Sequence, residues 1–241
     1  MKHQANDIWR RARNWVGSGG TLLSTNSQTT REITNQLTRI ASFASEAHPA
    51  FRKQLGFRLR EIESRLRDLA DQRLTFESTE TWRTIYEDVL NACETRRYLS
   101  VAVIRSDDYW RDTPGERSLE FNYRLVNHGF YVHRLFVIDD FFWPRTARVP
   151  STGLFHWIQG QRQQGIEVSL VRMYDLEDET DLIRDMGIYG SAAVGFQQTN
   201  FEGRTVRYDI NFDAATMTEA EQRWNQLLLY ASSIEDVMLV N

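Results

Sequence analysis

The stretch YLSVAVIRSDDYWRDTPGERSLEFNYRLVNHGFYVHRLFVID, residues 98–139, determines the predicted fold of this chain. It begins with a short apolar run rich in β-branched residues, which is typical of a buried strand. Residues 116–129 carry bulky apolar side chains in a helical segment that ends at Gly129. Residues 131–139 are a second strand-like run. This order of strand, helix and strand indicates a right-handed βαβ unit with parallel strands.

The same alternation continues along the chain. Residues 152–165 form a predicted helix that again ends at glycine, and residues 166–173 form a third apolar strand. Residues 187–197 and 205–213 are two further strand patterns, joined by a turn-rich loop of hairpin length. A last helix is predicted over residues 218–232. The sequence therefore predicts an α/β fold, with a mixed, mostly parallel sheet flanked by helices.

Residues 1–76 have a different period, with apolar residues at steps of three and four. The helices predicted in this region span residues 4–16, 27–47 and 50–73. We expect this region to form a helical arm outside the sheet, and residues 77–241 to form the α/β domain. On this interpretation, no strand of the sheet precedes Tyr98.

The third predicted helix of the arm carries an apolar stripe at heptad-like spacing. Its members are Leu55, Leu59, Ile62, Leu66 and Leu69. An isolated helix of this length is marginal in water, so the stripe must be buried against something. The second predicted helix can cover part of the stripe, and the first, with Trp9 and Trp15, can complete a bundle or dock on a second copy. Because two-fold dimers are the commonest soluble assemblies, we favour the second copy and expect a homodimer, with contact to another protein as a further alternative.

The N-terminal region is basic although the whole chain is acidic. Residues 1–75 contain 13 Lys and Arg against 7 Asp and Glu, whereas the net charge of the chain is −4. Arg10, Arg11 and Arg13 lie in the first predicted helix. Nucleic acid, a membrane surface and the acidic remainder of the chain are the three candidate contacts for these arginines. Nucleic-acid binding therefore stays an alternative function.

Cysteine usage and hydropathy suggest where the protein resides. Cys93 is the only cysteine, so no intrachain disulfide can form, and its place in a predicted helix favours burial in the core. The first twenty residues lack the apolar segment of a signal peptide. No run approaches the ~20 apolar residues that a membrane span needs. The sequence predicts a cytoplasmic protein without a transmembrane segment.

Standard catalytic signatures are absent from the sequence. It contains no phosphate-binding GxxxxGK motif followed by Ser or Thr, and no GxGxxG, GxSxG or HExxH. None of the five histidines pairs with another at ligand spacing, and His133 is predicted to be a structural histidine within a strand. We therefore expect no cofactor and no dedicated metal site, and the sequence does not identify a catalytic function.

Acidic residues cluster near the predicted strand ends. Asp107 follows the first strand, Asp139 and Asp140 follow the second, and Asp185 lies just before a later strand. In an open α/β sheet the carboxyl ends of parallel strands line the ligand crevice. If these carboxylates converge, they could hold a divalent metal through oxygen ligands. Otherwise they are ordinary polar residues of loops that leave a buried sheet.

Large aromatic side chains follow the same strand ends. Tyr109 and Trp110 come after the first strand, and Phe141, Phe142 and Trp143 come after the second. Such rings can contact a planar or apolar ligand. They can equally cover the end of the core or form an interface. Residues Asp107, Tyr109, Trp110, Asp139, Asp140, Trp143 and Asp185 are therefore the candidate ligand-binding residues.

These motifs resemble the sensor or regulatory version of the phospholipase D-like fold in bacteria. The residues that carry the resemblance are Tyr109 and Trp110 in the first loop, Gly129 at the helix end, and the strand VHRLFV over residues 132–137. The later run RDMGIYGSAAVGF, residues 184–196, resembles the acidic loop and strand that present a ligand or a catalytic residue in that fold.

The resemblance covers residues 80–235, and it implies a domain without phospholipase D chemistry. Active members carry His-x-Lys-x4-Asp, but no histidine here is followed by lysine at the second position, and Lys2 and Lys53 lie outside the covered region. The implied function is that of a regulatory or interaction protein whose α/β domain binds a ligand or a partner. The alternatives are a metal-dependent phosphodiesterase or nuclease that uses the strand-end aspartates, and a nucleic-acid-binding protein.

Overall fold

The computed structural model describes residues 27–78, 81–106, 113–200 and 205–239. The chain divides into two compact units, Met1–Arg67 and Asp68–Asn241. The division falls earlier than the predicted boundary at residues 76–77. The predicted helix over residues 4–16 lies outside the described residues.

The described part of the first unit is helical, as predicted. Helix α1 spans Ser27–Phe43, and helix α2 spans Pro49–Ala70, so that its last turn continues into the second unit. Pro49 occupies the first position of α2, where the missing N–H of proline leaves no hydrogen bond unmade. The Phe43 and Phe51 rings, whose centroids are 6.2 Å apart, pack on either side of the turn between the helices.

The second unit contains an eight-stranded sheet and five helices among its described residues. The strands are β1 (Arg73–Glu77), β2 (Arg97–Ile104), β3 (Tyr131–Ile138), β4 (Glu167–Arg172), β5 (Asp185–Tyr189), β6 (Ala193–Thr199), β7 (Thr205–Asn211) and β8 (Ser232–Ser233). The helices are α3 (Trp82–Ala92), α4 (Thr113–Asn127), α5 (Thr152–Gln163), α6 (Ala214–Tyr230) and α7 (Ile234–Leu239). Two short 3-10 helices, Met173–Leu176 and Thr180–Leu182, connect β4 to β5.

The strand order is β1-β7-β6-β5-β2-β3-β4-β8. The parallel βαβ arrangement predicted for the centre is confirmed, because β3 pairs in parallel with β2 and with β4. The sheet is mixed, as predicted, but "mostly parallel" is wrong: the other five strand pairs of the described chain are antiparallel. Only three residues separate β5 from β6 and only five separate β6 from β7, and connections this short can link only antiparallel neighbours.

Two predictions for the antiparallel half of the sheet are wrong. Residues 187–197 form parts of two strands, because Gly190 adopts a positive φ of 56° and ends β5 in a turn. The expectation of no strand before Tyr98 is also wrong, because β1 pairs with β7 along its whole length. Its sequence RLTFE alternates as a strand does, with Leu74 and Phe76 packed against the core.

Both faces of the sheet are covered, as the apolar runs of β2 and β3 predict. One face of β2 presents Tyr98, Ala102 and Ile104 to a core shared with α3, α4, α5 and α7. The opposite face presents Leu99 and Val101 to a second core beneath α6. Cys93 is not in either core; it lies just after α3, half-buried, with its thiol 3.3 Å from the carbonyl oxygen of Thr95.

Two tyrosines and two glycines pack tightly where β5, β6 and β7 meet. The hydroxyl groups of Tyr189 and Tyr208 share a hydrogen bond in the core. Gly187 and Gly195 face each other in the β5–β6 ladder and lie beneath these rings. A Cβ atom at Gly195 would lie 1.8 Å from the Tyr208 hydroxyl oxygen, so only glycine fits at this position.

We expect Gly195→Ala to lower the free energy of unfolding by about 1–3 kcal/mol, because the added methyl group overpacks a rigid core. Thermal denaturation followed by circular dichroism measures the change. Gly160→Ala is the matched control: a Cβ atom there meets nothing within 4 Å. Since Gly160 lies inside helix α5, the control should be neutral or slightly stabilising. Equal stability of Gly195→Ala and the unmutated protein would contradict the packing described.

Candidate functional site

The carboxyl ends of the three parallel strands form one edge of the sheet. Asp139 and Asp140 directly follow β3 at this edge. Because β5 runs antiparallel to β2, its first residue, Asp185, lies at the same edge, next to the end of β2. The structure thus brings these three candidate residues to one edge. The candidates Asp107, Tyr109 and Trp110 lie outside the described residues.

Asp185 completes the pairing between β2 and β5. Its Oδ1 accepts a hydrogen bond of 2.9 Å from the backbone N–H of Val103, just beyond the last paired residues of the two strands. The side chain is half-buried, and burial raises the pKa of its carboxyl to about 7. The Val103 N–H and the charge of Arg105 only partly offset that effect. Asp185 can therefore carry or release a proton near neutral pH.

Asp139 shapes the loop after β3. Its Oδ1 accepts a 2.9 Å hydrogen bond from the N–H of Phe141, and its carbonyl oxygen accepts from the N–H groups of Phe142 and Trp143. Asp140 is exposed to solvent. Within the described ranges, no group of three His, Cys, Asp or Glu side chains could hold a metal ion.

The aromatic residues of this loop have two different roles. Phe142 and Trp143 are buried and cover the end of the core. The Trp143 indole Nε1–H donates to the carbonyl oxygens of Ala147 and Arg148, at 3.2 and 3.3 Å. Phe141 is 80% exposed. Core coverage therefore accounts for two of the three rings, and the third is available at the surface.

An arginine-lined cleft of about 380 Å³ opens beside Trp143, where β4 ends. Its charged lining consists of Arg145, Arg148, Arg172, Asp175 and Asp236. None of the three arginines is among the candidates predicted from the sequence. The available signal was the local density of arginine in PRTARV, residues 144–149, and at the end of β4.

The local structure of the loop holds the cleft arginines in different ways. Arg172 donates from Nη1 to the Pro144 carbonyl at 2.9 Å and from Nη2 to the Ala147 carbonyl at 2.8 Å. The guanidinium also lies over the Trp143 ring, 4.3 Å from its centroid. Arg148 donates to the Met238 carbonyl, while Arg145 lies against the Tyr174 ring and 4.0 Å from a Glu177 carboxylate oxygen.

The structural assignment of His133 is confirmed. Its Nδ1 lies 3.0 Å from the Tyr131 hydroxyl, and its Nε2 lies 2.9 Å from Ser169 Oγ. Burial lowers the pKa of the imidazole, with Glu167 acting in the opposite direction. The ring packs edge-on against Trp224 in the core beneath α6.

The stripe predicted for the arm is only partly covered within the described chain. Leu55, Leu59 and Leu66 are half-buried, whereas Ile62 and Leu69 are 43% and 57% exposed. Arg10, Arg11 and Arg13 lie outside the described residues. No described helix combines the length and apolarity needed to cross a membrane.

Solved structures provide the known proteins that this chain resembles. Nuc from Salmonella typhimurium, a phospholipase D family member, is 12% identical with a TM-score of 0.45; the match covers 67% of this chain and 96% of Nuc. This likeness to a phospholipase D family member is weak. No protein-family model and no curated protein matches the chain.

Two further structures show likenesses of the same order. Phosphatidylserine synthase from Haemophilus influenzae Rd KW20 is 14% identical with a TM-score of 0.46, over 68% of this chain and 39% of the synthase. TrmBL2, an archaeal chromatin protein with a novel mode of DNA binding, is 9% identical with a TM-score of 0.41. That match covers 90% of this chain and 75% of TrmBL2.

We expect Asp185→Asn to become more stable relative to the unmutated protein as pH rises from about 4 to 7. In this window the folded carboxyl, with a pKa of about 7, retains a proton that the unfolded chain releases. The unmutated protein therefore loses stability with rising pH, and asparagine, which does not titrate, removes that loss while its carbonyl can still accept from Val103. Paired melting curves at pH 4, 5.5, 7, 8 and 9 measure the difference, which should level off above about pH 8. A difference independent of pH across the whole range would contradict the raised pKa.

Proposed function

We propose that this chain is a non-catalytic regulatory or interaction protein. Its helical arm self-associates, and its α/β unit binds a ligand or partner at the carboxyl edge of the sheet. The incompletely covered apolar stripe of α2 is the single observation that best supports this proposal. The 22-residue helix has no fully buried residue.

Exposure of the arm is unusual for a stable helix. Six large apolar side chains of the arm are exposed by 38–57%: Ile33, Phe43, Phe51, Phe57, Ile62 and Leu69. Most of the stability of a helix in a protein comes from packing its apolar face. An exposed apolar surface of this kind on a single chain indicates that a partner covers it.

A second copy of the chain is the partner that we favour. The stripe from Leu55 to Leu69 follows the steps of four and three that bring two helices together along a seam. Charged residues flank it and form ion pairs within the helix: Arg58 with Glu61, and Arg67 with Glu63. A flank of both charge signs is compatible with a copy of itself, whereas a highly charged partner would require one sign to dominate.

The double variant Leu59→Ala with Leu66→Ala should convert a dimer into monomers or unfold the arm, and leave the α/β unit folded. Each leucine buried in an interface contributes roughly 2–5 kcal/mol, so association should weaken by at least about thirtyfold. Multi-angle light scattering should give twice the 28.3 kDa chain mass for the unmutated protein. Near-UV circular dichroism reports whether the α/β unit remains folded.

Arg58→Ala with Arg65→Ala is the matched control, because both side chains are exposed and neither belongs to the stripe. The control should stay dimeric. A monomeric mass for the unmutated protein, unchanged between micromolar and near-millimolar concentrations, would refute self-association. A molar mass that equals one chain plus a different protein would show that the partner of the arm is not a second copy.

Phosphodiester hydrolysis of the phospholipase D type is not expected, because the His-x-Lys pair is missing from the sequence. The test is release of p-nitrophenol from bis-p-nitrophenyl phosphate, with EDTA and separately with Mg²⁺ or Mn²⁺. The rate should equal that of buffer in each condition. Turnover that disappears in His156→Ala would show histidine-dependent catalysis, and turnover that requires metal and disappears in Asp139→Asn would favour the metal-dependent alternative.

A further inference from the structure

We propose that the cleft beside Trp143 binds the phosphate group of a small polar molecule, either free phosphate or a phosphomonoester. This inference deepens the proposed ligand-binding role of the α/β unit and names its site and ligand chemistry. All residues that carry it belong to the second compact unit.

The arginines of the cleft have hydrogen-bond donors that the protein does not use. A guanidinium group has five N–H donors. Arg172 uses two of them on backbone carbonyls, and Arg148 uses one. Within the described chain, no carboxylate lies within ion-pair distance of either residue, and Arg145 has only its long contact to Glu177. Three cations therefore retain donors that an anion can satisfy.

The Arg172 guanidinium is held in place by the protein itself, before any ligand binds. Arg172 is fixed by the Pro144 and Ala147 carbonyls and by the Trp143 ring. Trp143 is itself fixed by hydrogen bonds to the same loop. A donor that is already ordered loses little conformational entropy on binding, which favours affinity.

The number of acceptor oxygens, rather than net charge, favours phosphate over a simple carboxylate as the anion in the cleft. Three arginines line the cleft together with two acids, Asp175 and Asp236, and Asp236 already accepts from the Ser233 hydroxyl. A phosphate carries three or four oxygens and up to two negative charges, so it can accept from several separate guanidinium groups at once. A carboxylate has only two oxygens. The two acids would repel the phosphate itself, but they can accept from hydroxyl or amino groups elsewhere on the ligand.

The size and lining of the cleft agree with a small polar ligand. Its volume of about 380 Å³ lies near the lower end of the range for small-molecule sites. The lining also includes Tyr230 and Ser232, whose side chains carry hydroxyl groups that can hydrogen-bond to a polar ligand. Glycerol 3-phosphate, a soluble phosphomonoester, is small and carries hydroxyl groups beside its phosphate.

The experiment follows the indole signals of the full chain by ¹⁵N–¹H NMR during titration with inorganic phosphate, at constant ionic strength and pH. The protein contains seven tryptophans, and Trp143→Phe assigns the signal of interest. That signal should shift saturably, because the Trp143 ring packs against the Arg172 guanidinium and its Nε1–H donates to two carbonyls of the cleft loop. Glycerol 3-phosphate should produce the same shift at lower concentration.

Arg145→Gln is the test variant, because Arg145 is exposed and holds no backbone carbonyl in the described structure. Loss of one charged donor should weaken phosphate binding at least about tenfold. Arg58→Gln, an exposed arginine of α2 with one ion pair, is the matched control and should bind as the unmutated protein does.

Three outcomes would overturn the proposal: no shift of the Trp143 signal at 20 mM phosphate, an equal affinity in Arg145→Gln, or an equal loss in Arg58→Gln. Vesicles containing phosphatidic acid form a further arm. Binding to these vesicles without binding to either soluble phosphate would assign the surface to lipid and overturn the small-molecule site. Light scattering of the same samples measures self-association, which depends on the arm and not on the cleft. It therefore distinguishes a failure of phosphate binding from a failure of self-association.

Discussion

The pairing of β2 with β5 is the constraint on which the second unit depends. It joins three parallel strands to an antiparallel half within one sheet. Since β5 runs opposite to β2, the start of β5 must lie at the carboxyl edge of the parallel strands. This is why Asp185 lies at the edge where β3 delivers Asp139. The Asp185 carboxylate then supplies an acceptor for Val103, at the point where regular pairing ends.

The sheet is packed on both faces, and loops extend from that edge. Below it, Tyr189 and Tyr208 lie over paired glycines, and the ring of Trp82 stacks on Tyr208 with a centroid separation of 4.2 Å. Apolar burial is therefore concentrated in the sheet, while the polar groups that can recognise a ligand come from loops at its end. The loop after β3 is tied down by Trp143 and Arg172, so its arginines are presented from a fixed backbone.

The sequence predicted elements well where one local pattern decides the structure. β3 is a continuous apolar run, and Gly129 before it has the positive φ of 82° expected of a helix-ending glycine. β1 was missed because RLTFE directly follows the heptad-like stripe of α2, whose period masks a short alternating strand. The cleft could not be predicted, because Arg145, Arg172 and Asp236 are far apart in the chain and meet only through the strand order.

For the carboxyl edge, the proposed function is phosphate binding in the cleft rather than metal chemistry at the strand-end aspartates. Anomalous diffraction from crystals of the full chain grown with both tungstate, a heavy phosphate analogue, and Mn²⁺ tests both sites in one measurement. We expect a tungsten peak among Arg145, Arg148 and Arg172, and no manganese peak at Asp139 or Asp185. Manganese bound between those aspartates, with tungstate absent from the cleft, would contradict this proposal.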